Sequence, residues 1–204
     1  MIGFHIHRRI ITACRGLFMN IIPTKDDKGA PISEDDRFDK VVKVEGHITN
    51  GTFYLMSTIW GMYVIWGQDW LPTYMHGTGD LLNGIKNLPF LKIDDSVIIY
   101  GLWNLGYRVE GFLVHVFLQD WDNDFEEMVL HDVSTISLMF GYIMANFIPG
   151  GTIIIILHDI PDVTNHLCKA AHYSIFGFLA APLFILTQFL WAYYRLYCLP
   201  MIIW

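Results

Sequence analysis

Residues 124–173, DFEEMVLHDVSTISLMFGYIMANFIPGGTIIIILHDIPDVTNHLCKAAHY, are the stretch that decides the fold. They place the tripeptide Leu-His-Asp twice within apolar sequence, at 130–132 and at 157–159. An ionisable side chain inside a membrane span costs roughly 2.5–3.5 kcal/mol on insertion scales, so such residues usually face a bundle interior or a wet cavity and mark function. The stretch therefore predicts apolar helices that enclose a polar interior.

The rest of the chain is also apolar enough to favour a bilayer. Its 204 residues are 53% hydrophobic and 15% aromatic, with a mean hydropathy of +0.38. A spanning helix needs about 20 mostly apolar residues, and the segments of that kind are Ile48–Trp66, Ser96–Leu118, Met128–Ile148 and Tyr173–Leu199. Gly150–His172 is apolar only in its first half and contains a proline, which predicts one broken helix or two short ones. We expect an all-α, polytopic transmembrane helical bundle of about five or six spans.

Residues 1–47 differ in composition from the rest. Residues 1–24 contain three arginines, no acidic residue and apolar positions at rough helical spacing. This pattern is typical of mitochondrial targeting segments and of helices at a membrane surface, and a solvated amphipathic arm is the alternative. Residues 25–45 are polar and predict a linker. We therefore predict an N-terminal arm and linker at 1–47 and a transmembrane domain at 48–204.

The basic residues are unevenly distributed. Eight of the 13 Lys and Arg precede the first predicted span, whereas 120–127 has five acidic residues and no basic one. The positive-inside rule then places the N-terminus in the cytosol or, for a mitochondrial protein, in the matrix. The arm favours the mitochondrial inner membrane over the endoplasmic reticulum. No basic stripe alternates with aromatics, so no nucleic acid partner is predicted. The scattered Cys14, Cys168 and Cys198 predict free thiols.

Helical spacing groups the polar residues of the deciding stretch into faces. His131, Thr135 and Tyr142 share one face, with Asp132 about 100° round the helix. Spacings of three and four then give two overlapping stripes, one of His158, Asp162, Asn165 and Lys169, the other of Asp159, Asp162 and His166. These side chains either form a site or neutralise one another, for example Lys169 with Asp162, and only hold the bundle together. We predict no metal, because the repeated histidine boxes of membrane di-iron enzymes are missing.

The same stretch resembles the signature region of ceramide synthases, the sphingoid-base N-acyltransferases of the TLC-domain family. The residues that fall on the family's marked positions are His131, Thr135, Tyr142, Asn146, Gly151, His158, Asp159, Asp162, Lys169 and Tyr173. The resemblance implies an acyl-CoA donor as substrate, a long-chain amine acceptor, no cofactor, and a tunnel with histidines and aspartates at its inner end. On that pattern His131 would be nucleophile or base, and His158, Asp159 and Asp162 would hold and tune it.

The departures from the family pattern fall at or next to the positions to which the resemblance assigns catalysis. Asp132 stands where the family has the second histidine of a pair, and Pro149, His166 and His172 replace an arginine, a glutamate and an asparagine. The chain is also expected to lack the family's additional N-terminal span. Losing one member of a catalytic unit can remove nearly all of its activity.

These departures predict a catalytically degenerate, structural or lipid-binding subunit of a large membrane complex, which binds membrane lipids and contacts other subunits through residues 1–47. The alternative is an active ceramide synthase in the endoplasmic reticulum, with His131, Asp132, His158, Asp159 and Asp162 as catalytic residues. In either case Thr135, Tyr142, Asn146, His166, Lys169 and Tyr173 would support the site or line a lipid site. A third hypothesis is a lipid-sensing or lipid-transfer protein outside any complex.

Overall fold

A computed structural model describes residues 2–25, 29–73, 77–86, 88–118 and 125–203, so Lys28 and residues 120–124 of the acidic loop lie outside the described residues. The α-helices in these ranges are α1 (Ile2–Ala13), α2 (Arg15–Ile21), α3 (Glu34–Ile65), α4 (Asp95–Leu118), α5 (Phe125–Met144), α6 (Ile148–His172), α7 (Ala180–Trp191) and α8 (Leu199–Ile203). Short 3₁₀ turns lie at Leu81–Gly84 and Gly177–Leu179, and a π-helical segment at Ala192–Cys198 joins α7 to α8. The predicted all-α class is confirmed for the described part of the chain.

The long helix α3 has a clear start signal. Ser33 precedes it, and the Ser33 hydroxyl accepts a hydrogen bond from the Asp36 backbone N–H at 3.1 Å and donates to the Asp36 carboxylate at 2.7 Å. This pairing satisfies N–H groups that the first helical turn leaves free, and three acidic residues in that turn suit the positive end of the helix dipole. The predicted division after residue 47 therefore falls inside α3.

The expected break between 150 and 172 is wrong, because α6 runs unbroken from Ile148 to His172 with Pro161 inside it. A proline within a helix removes a hydrogen bond and clashes with the preceding turn, at a cost of about 3 kcal/mol. Pro161 is fully buried, and the Thr164 hydroxyl donates to its carbonyl oxygen at 2.9 Å. Packing around the proline offsets the local penalty.

One helical run in the described ranges is long and apolar enough to cross a membrane by length and composition, Gly177–Met201. It overlaps the predicted last span, and its large apolar side chains, among them Phe178, Phe184 and Phe189, are exposed. The other predicted spans correspond to helices that carry more polar residues, so the number of spans stays a prediction.

Two compact units divide the chain. The middle unit is Ile59–Ile156, and the terminal unit combines Ile2–Thr58 with Leu157–Trp204. In the middle unit Tyr100 and Asn104 of α4 are fully buried, and the Trp60 ring meets the Tyr100 ring edge-on at 5.5 Å.

In the terminal unit α1 and α2 pack antiparallel to α3. His7 Nε2 lies 2.9 Å from the Thr52 hydroxyl, and the Arg37 guanidinium donates to the Met19 carbonyl at 3.0 Å. A small apolar core of Ile22, Val41 and Val44, with Phe18, Met19, Ile21, Ile48 and Tyr173 packed against it, lies under these contacts. The N-terminal arm is thus part of a folded unit.

Candidate functional site

The second Leu-His-Asp places a buried carboxylate in the terminal unit. Asp159, on α6, is fully buried and accepts a hydrogen bond from the Ser57 hydroxyl of α3 at 2.6 Å. Ser57 is also fully buried. A carboxylate held away from water needs such donors, because an unsolvated charge is costly. The bond therefore fixes α6 against α3 at the point where the polar stripe begins.

One turn further, Asp162 forms an ion pair with Arg195 of the π-helical segment. The Arg195 Nη2 lies 3.0 Å from the Asp162 carboxylate and 3.3 Å from the His158 carbonyl oxygen, to which it also donates. Both charged side chains are 24% exposed, so solvent screens the pair only in part. Single-turn π segments are common at functional sites. Here the segment carries the arginine that holds the turn from His158 to Asp162.

The end of the stripe brings two imidazoles into contact. His166 Nδ1 lies 3.3 Å from His47 Nδ1, so one ring donates and the other accepts. The His166 ring stacks on Tyr54 at 5.3 Å, and the His47 ring stacks on Tyr173 at 6.0 Å. Gly51 makes this approach possible, since a Cβ there would stand 3.2 Å from the His166 Cβ.

The surroundings of His47 keep its imidazole neutral. Burial, followed by the positive charges of Lys169 and Lys43, lowers the pKa of His47 from 6.5 to about 4. His47 lies one residue before the first predicted span, and the Lys43 ammonium lies over the Tyr173 ring, 5.6 Å from its centroid. This end of the terminal unit therefore carries the ammonium groups of Lys43 and Lys169 around the uncharged imidazole of His47.

The first Leu-His-Asp lies in the middle unit and forms a different arrangement. One oxygen of the Asp132 carboxylate is 3.3 Å from His131 Nδ1, and the other is 3.3 Å from His115 Nδ1 of α4. The His115 side chain is 12% exposed and the His131 side chain 65% exposed. A carboxylate only accepts hydrogen bonds when ionised. Asp132 therefore orients two imidazoles, one buried and one open.

Tyr142 and Asn146 lie at or just after the C-terminal end of α5, and Gly151 lies in the first turn of α6. Gly151 lies against the Tyr142 ring, where a Cβ would come within 2.5 Å, and the buried Tyr142 hydroxyl has no hydrogen-bond partner in the part of the chain that the structure describes. Asn146 has a positive φ of 55° and donates its side-chain amide to the carbonyls of Pro89 and Leu91, at 2.7 and 2.9 Å. Asn146 thus ties a loop to the end of α5. Thr135 is partly exposed on α5.

A comparison with protein-family models identifies the family of this chain. The model for the TLC domain matches residues 43–204. The chain belongs to the TLC-domain family. This confirms the resemblance to the TLC family, and membership makes the protein an integral membrane protein of several spans.

Curated relatives of this TLC protein are distant ceramide synthases. Human ceramide synthase 3 is 28% identical over 163 residues, which cover 73% of this chain and 40% of that protein. Ceramide synthase LOH2 of Arabidopsis thaliana is 27% identical over 176 residues, covering 84% of this chain and 56% of that protein. Ceramide synthase hyl-2 of Caenorhabditis elegans is 24% identical over 165 residues, covering 81% and 48%. The chain thus spans about half the length of the relatives it matches.

The predicted site residues of this TLC protein fall into two groups, one in each unit. His131, Asp132, Thr135, Tyr142 and Asn146 belong to the middle unit, and His158, Asp159, Asp162, His166, Lys169 and Tyr173 to the terminal unit.

Sequence reasoning missed the partners of these residues, namely His47, Tyr54, Ser57, His115 and Arg195. A signal for part of this set exists, because His47, Gly51 and Tyr54 follow one another at helical spacings of four and three.

Proposed function

We propose that this protein binds a long-chain lipid in a TLC fold and no longer performs the acyl transfer of a ceramide synthase. The observation that carries the proposal is Asp132, which stands in place of the family's second histidine. Its carboxylate is occupied by His115 and His131. An ionised carboxylate cannot donate a proton or form an acyl-imidazole, so it does not replace the missing ring.

Retained polar contacts support a binding role for the fold. Asp159 and Asp162 both have partners, in Ser57 and in Arg195. A polar network with satisfied members rigidifies a helix bundle. The lipid would be enclosed by such a bundle, in five or six spans as the sequence predicts.

We also propose that the protein is a subunit of a larger membrane complex, in the mitochondrial inner membrane. Supporting this, α1 and α2 pack on α3 through one face and expose Ile6, Ile10 and Leu17 on another. Exposed apolar side chains grouped on a helix face typically mark an interaction surface. Purification under mild conditions should then recover other chains bound through residues 1–47, and recovery of a lone monomer or homodimer would contradict the proposal.

The second candidate function is an active acyl-CoA-dependent N-acyltransferase. It is favoured by the exposed His131 ring. This ring contacts the Asp132 carboxylate through Nδ1, so Nε2 does not take part in that contact. An imidazole oriented by a carboxylate is the usual form of a general base. The amine of a sphingoid base would lose a proton to this ring as it attacks the thioester carbonyl; the C–S bond would then break, and CoA would leave as the thiol, with the proton returned from the ring.

One assay separates the two functions. The purified protein is incubated with a sphingoid base and a fatty acyl-CoA, with human ceramide synthase 3 as a positive control, and amide formation is measured. We expect no product from the wild type, together with a long-chain lipid in its organic extract. Product that is abolished by His131→Ala would establish the enzyme and reject the binding-only proposal.

A further inference from the structure

A positively charged cluster lies at the end of the polar stripe in the terminal unit. It consists of Lys43 and His47 of α3, His166 and Lys169 of α6, and Tyr173, and we refer to it as the His47 cluster. The two imidazoles touch at 3.3 Å, and the Lys43 ammonium lies 5.6 Å from the centroid of the Tyr173 ring. Both lysine side chains are exposed. The described salt bridges include none to either ammonium group.

Three carboxylates near the cluster in sequence have partners of their own. Glu45 accepts hydrogen bonds from Arg15, at 2.8 Å, and from Thr12. Asp159 is bound by Ser57 and Asp162 by Arg195. The positive charge of the cluster is therefore not cancelled by these acids. Its effect is visible on His47, whose pKa the two lysines help to lower.

An open groove of about 390 Å³ adjoins the cluster. Its lining includes Lys40, Lys43 and Tyr173, together with Asp36 and Asp39 of α3. Of these residues, Lys43 and Tyr173 belong to the cluster, so the groove gives access to it.

The position along α3 suits a lipid head group. The first predicted span begins at Ile48, directly after His47. Lys43 lies five residues before Ile48, which is about 7 Å along a helix that rises 1.5 Å per residue. On that prediction we expect the cluster to lie at the depth where lipid phosphates are found, next to the hydrocarbon region.

We propose that the His47 cluster binds the phosphate of a membrane lipid head group. Lys43 and Lys169 contribute charge-assisted hydrogen bonds to the phosphate oxygens, and the imidazole pair supplies a further N–H. The accepting ring of the pair, when neutral, carries its proton on Nε2, which provides that donor. This proposal rests on the proposed lipid-binding function. It specifies the lipid class as one that carries a phosphate in its head group.

A matched pair of lipids tests the site. The full-length protein in a maltoside detergent, which carries no phosphate, is titrated with phosphatidic acid or with the diacylglycerol of the same chains, and the bound lipid is counted by native mass spectrometry. We expect phosphatidic acid to bind preferentially. Glycerol phosphate, a soluble source of the same group, should compete poorly, because it lacks the acyl chains that the fold would hold.

Charge removal locates the binding. Lys43→Gln with Lys169→Gln should weaken phosphatidic acid binding by about 10-fold or more, since each substitution removes a charge-assisted hydrogen bond to the phosphate. The control Lys86→Gln with Lys92→Gln removes the same charge from two exposed lysines of the middle unit and should change nothing.

Three outcomes overturn the site, and they differ in what they imply for the lipid-binding function. Equal retention of phosphatidic acid and diacylglycerol would reject the phosphate site and keep lipid binding. Retention of no lipid would reject both. An equal loss of affinity in the cluster variant and in the control would show general surface attraction, which also rejects the site.

Discussion

Ser57 donates a hydrogen bond to the Asp159 carboxylate at 2.6 Å, and neither side chain is exposed to solvent. The two residues are 102 positions apart, half the length of the chain, and the bond joins α3 to α6. A short bond from a hydroxyl to a carboxylate is among the stronger hydrogen bonds in proteins. We therefore expect the stability of the terminal unit to depend on this hydrogen bond.

Ser57→Ala should lower the free energy of unfolding by about 1–3 kcal/mol, because the buried Asp159 carboxylate loses a donor that water cannot replace. Thermal unfolding of the protein in detergent, followed by tryptophan fluorescence, measures the change. Ser134→Ala is the matched control, since Ser134 is exposed and its hydroxyl donates only to the Leu130 carbonyl of its own helix among the described contacts. Equal melting temperatures for both variants would show that the buried bond adds no stability.

The residues of α6 and their partners on other elements differ in how far the sequence predicts them. The faces of α6 follow from local spacing, so Asp159, Asp162 and His166 were grouped correctly on a helix. Their partners Ser57, Arg195 and His47 are 102, 33 and 119 positions away. Such pairs depend on tertiary packing, which no local pattern encodes. The same limit applies to Pro161, whose local signal indicated a break that burial overrides.

Asp132 shows a further limit. Its place in the family pattern was readable from the sequence, and a single position suggested the loss of an imidazole. His115 lies 17 positions earlier and on another helix, so its contact with Asp132 was not readable. The structure thus places two imidazoles, those of His115 and His131, against the Asp132 carboxylate.

His115→Ala should destabilise the protein more than His131→Ala. The His115 ring is mostly buried, meets the Phe125 ring edge-on at 5.9 Å and binds Asp132 from another helix. Its removal should cost about 1–3 kcal/mol, whereas removal of the 65% exposed His131 should stay within about 0.5 kcal/mol. Melting temperatures of the two variants give the order. The reverse order would mean that Asp132 does not hold α4 to α5 through His115.

Gly151→Ala should destabilise the middle unit, because the added Cβ would stand 2.5 Å from the Tyr142 ring. Overpacking of this kind costs roughly 1–3 kcal/mol. Gly141→Ala on α5 is the control, since a Cβ there meets nothing within 4 Å and alanine favours a helix by up to about 1 kcal/mol. Chemical or thermal unfolding compares them. Truncation of the ring by Tyr142→Ala in the Gly151→Ala background should make the two losses less than additive, and simple additivity would contradict the clash.

Acidification below neutral pH should destabilise the terminal unit through His47. Its pKa falls from 6.5 to about 4 on folding, because burial and then the charges of Lys169 and Lys43 disfavour the imidazolium. Below pH 6.5 the unfolded chain therefore takes up a proton that the folded chain refuses. The stability contributed by the neutral ring is complete above that pH and is lost progressively as the pH falls to about 4.

The size of this loss is at most about 3 kcal/mol, and partial exposure of the ring reduces it. His47→Gln does not titrate, so the variant should lose less stability between pH 6.5 and pH 4 than the wild type does. His131→Gln, at an exposed ring of the middle unit, should keep the full wild-type decrease. Unfolding midpoints across this pH range give the comparison. If the His47→Gln and wild-type curves fall in parallel, the acid sensitivity arises at another group and the neutral state of His47 does not contribute to folding.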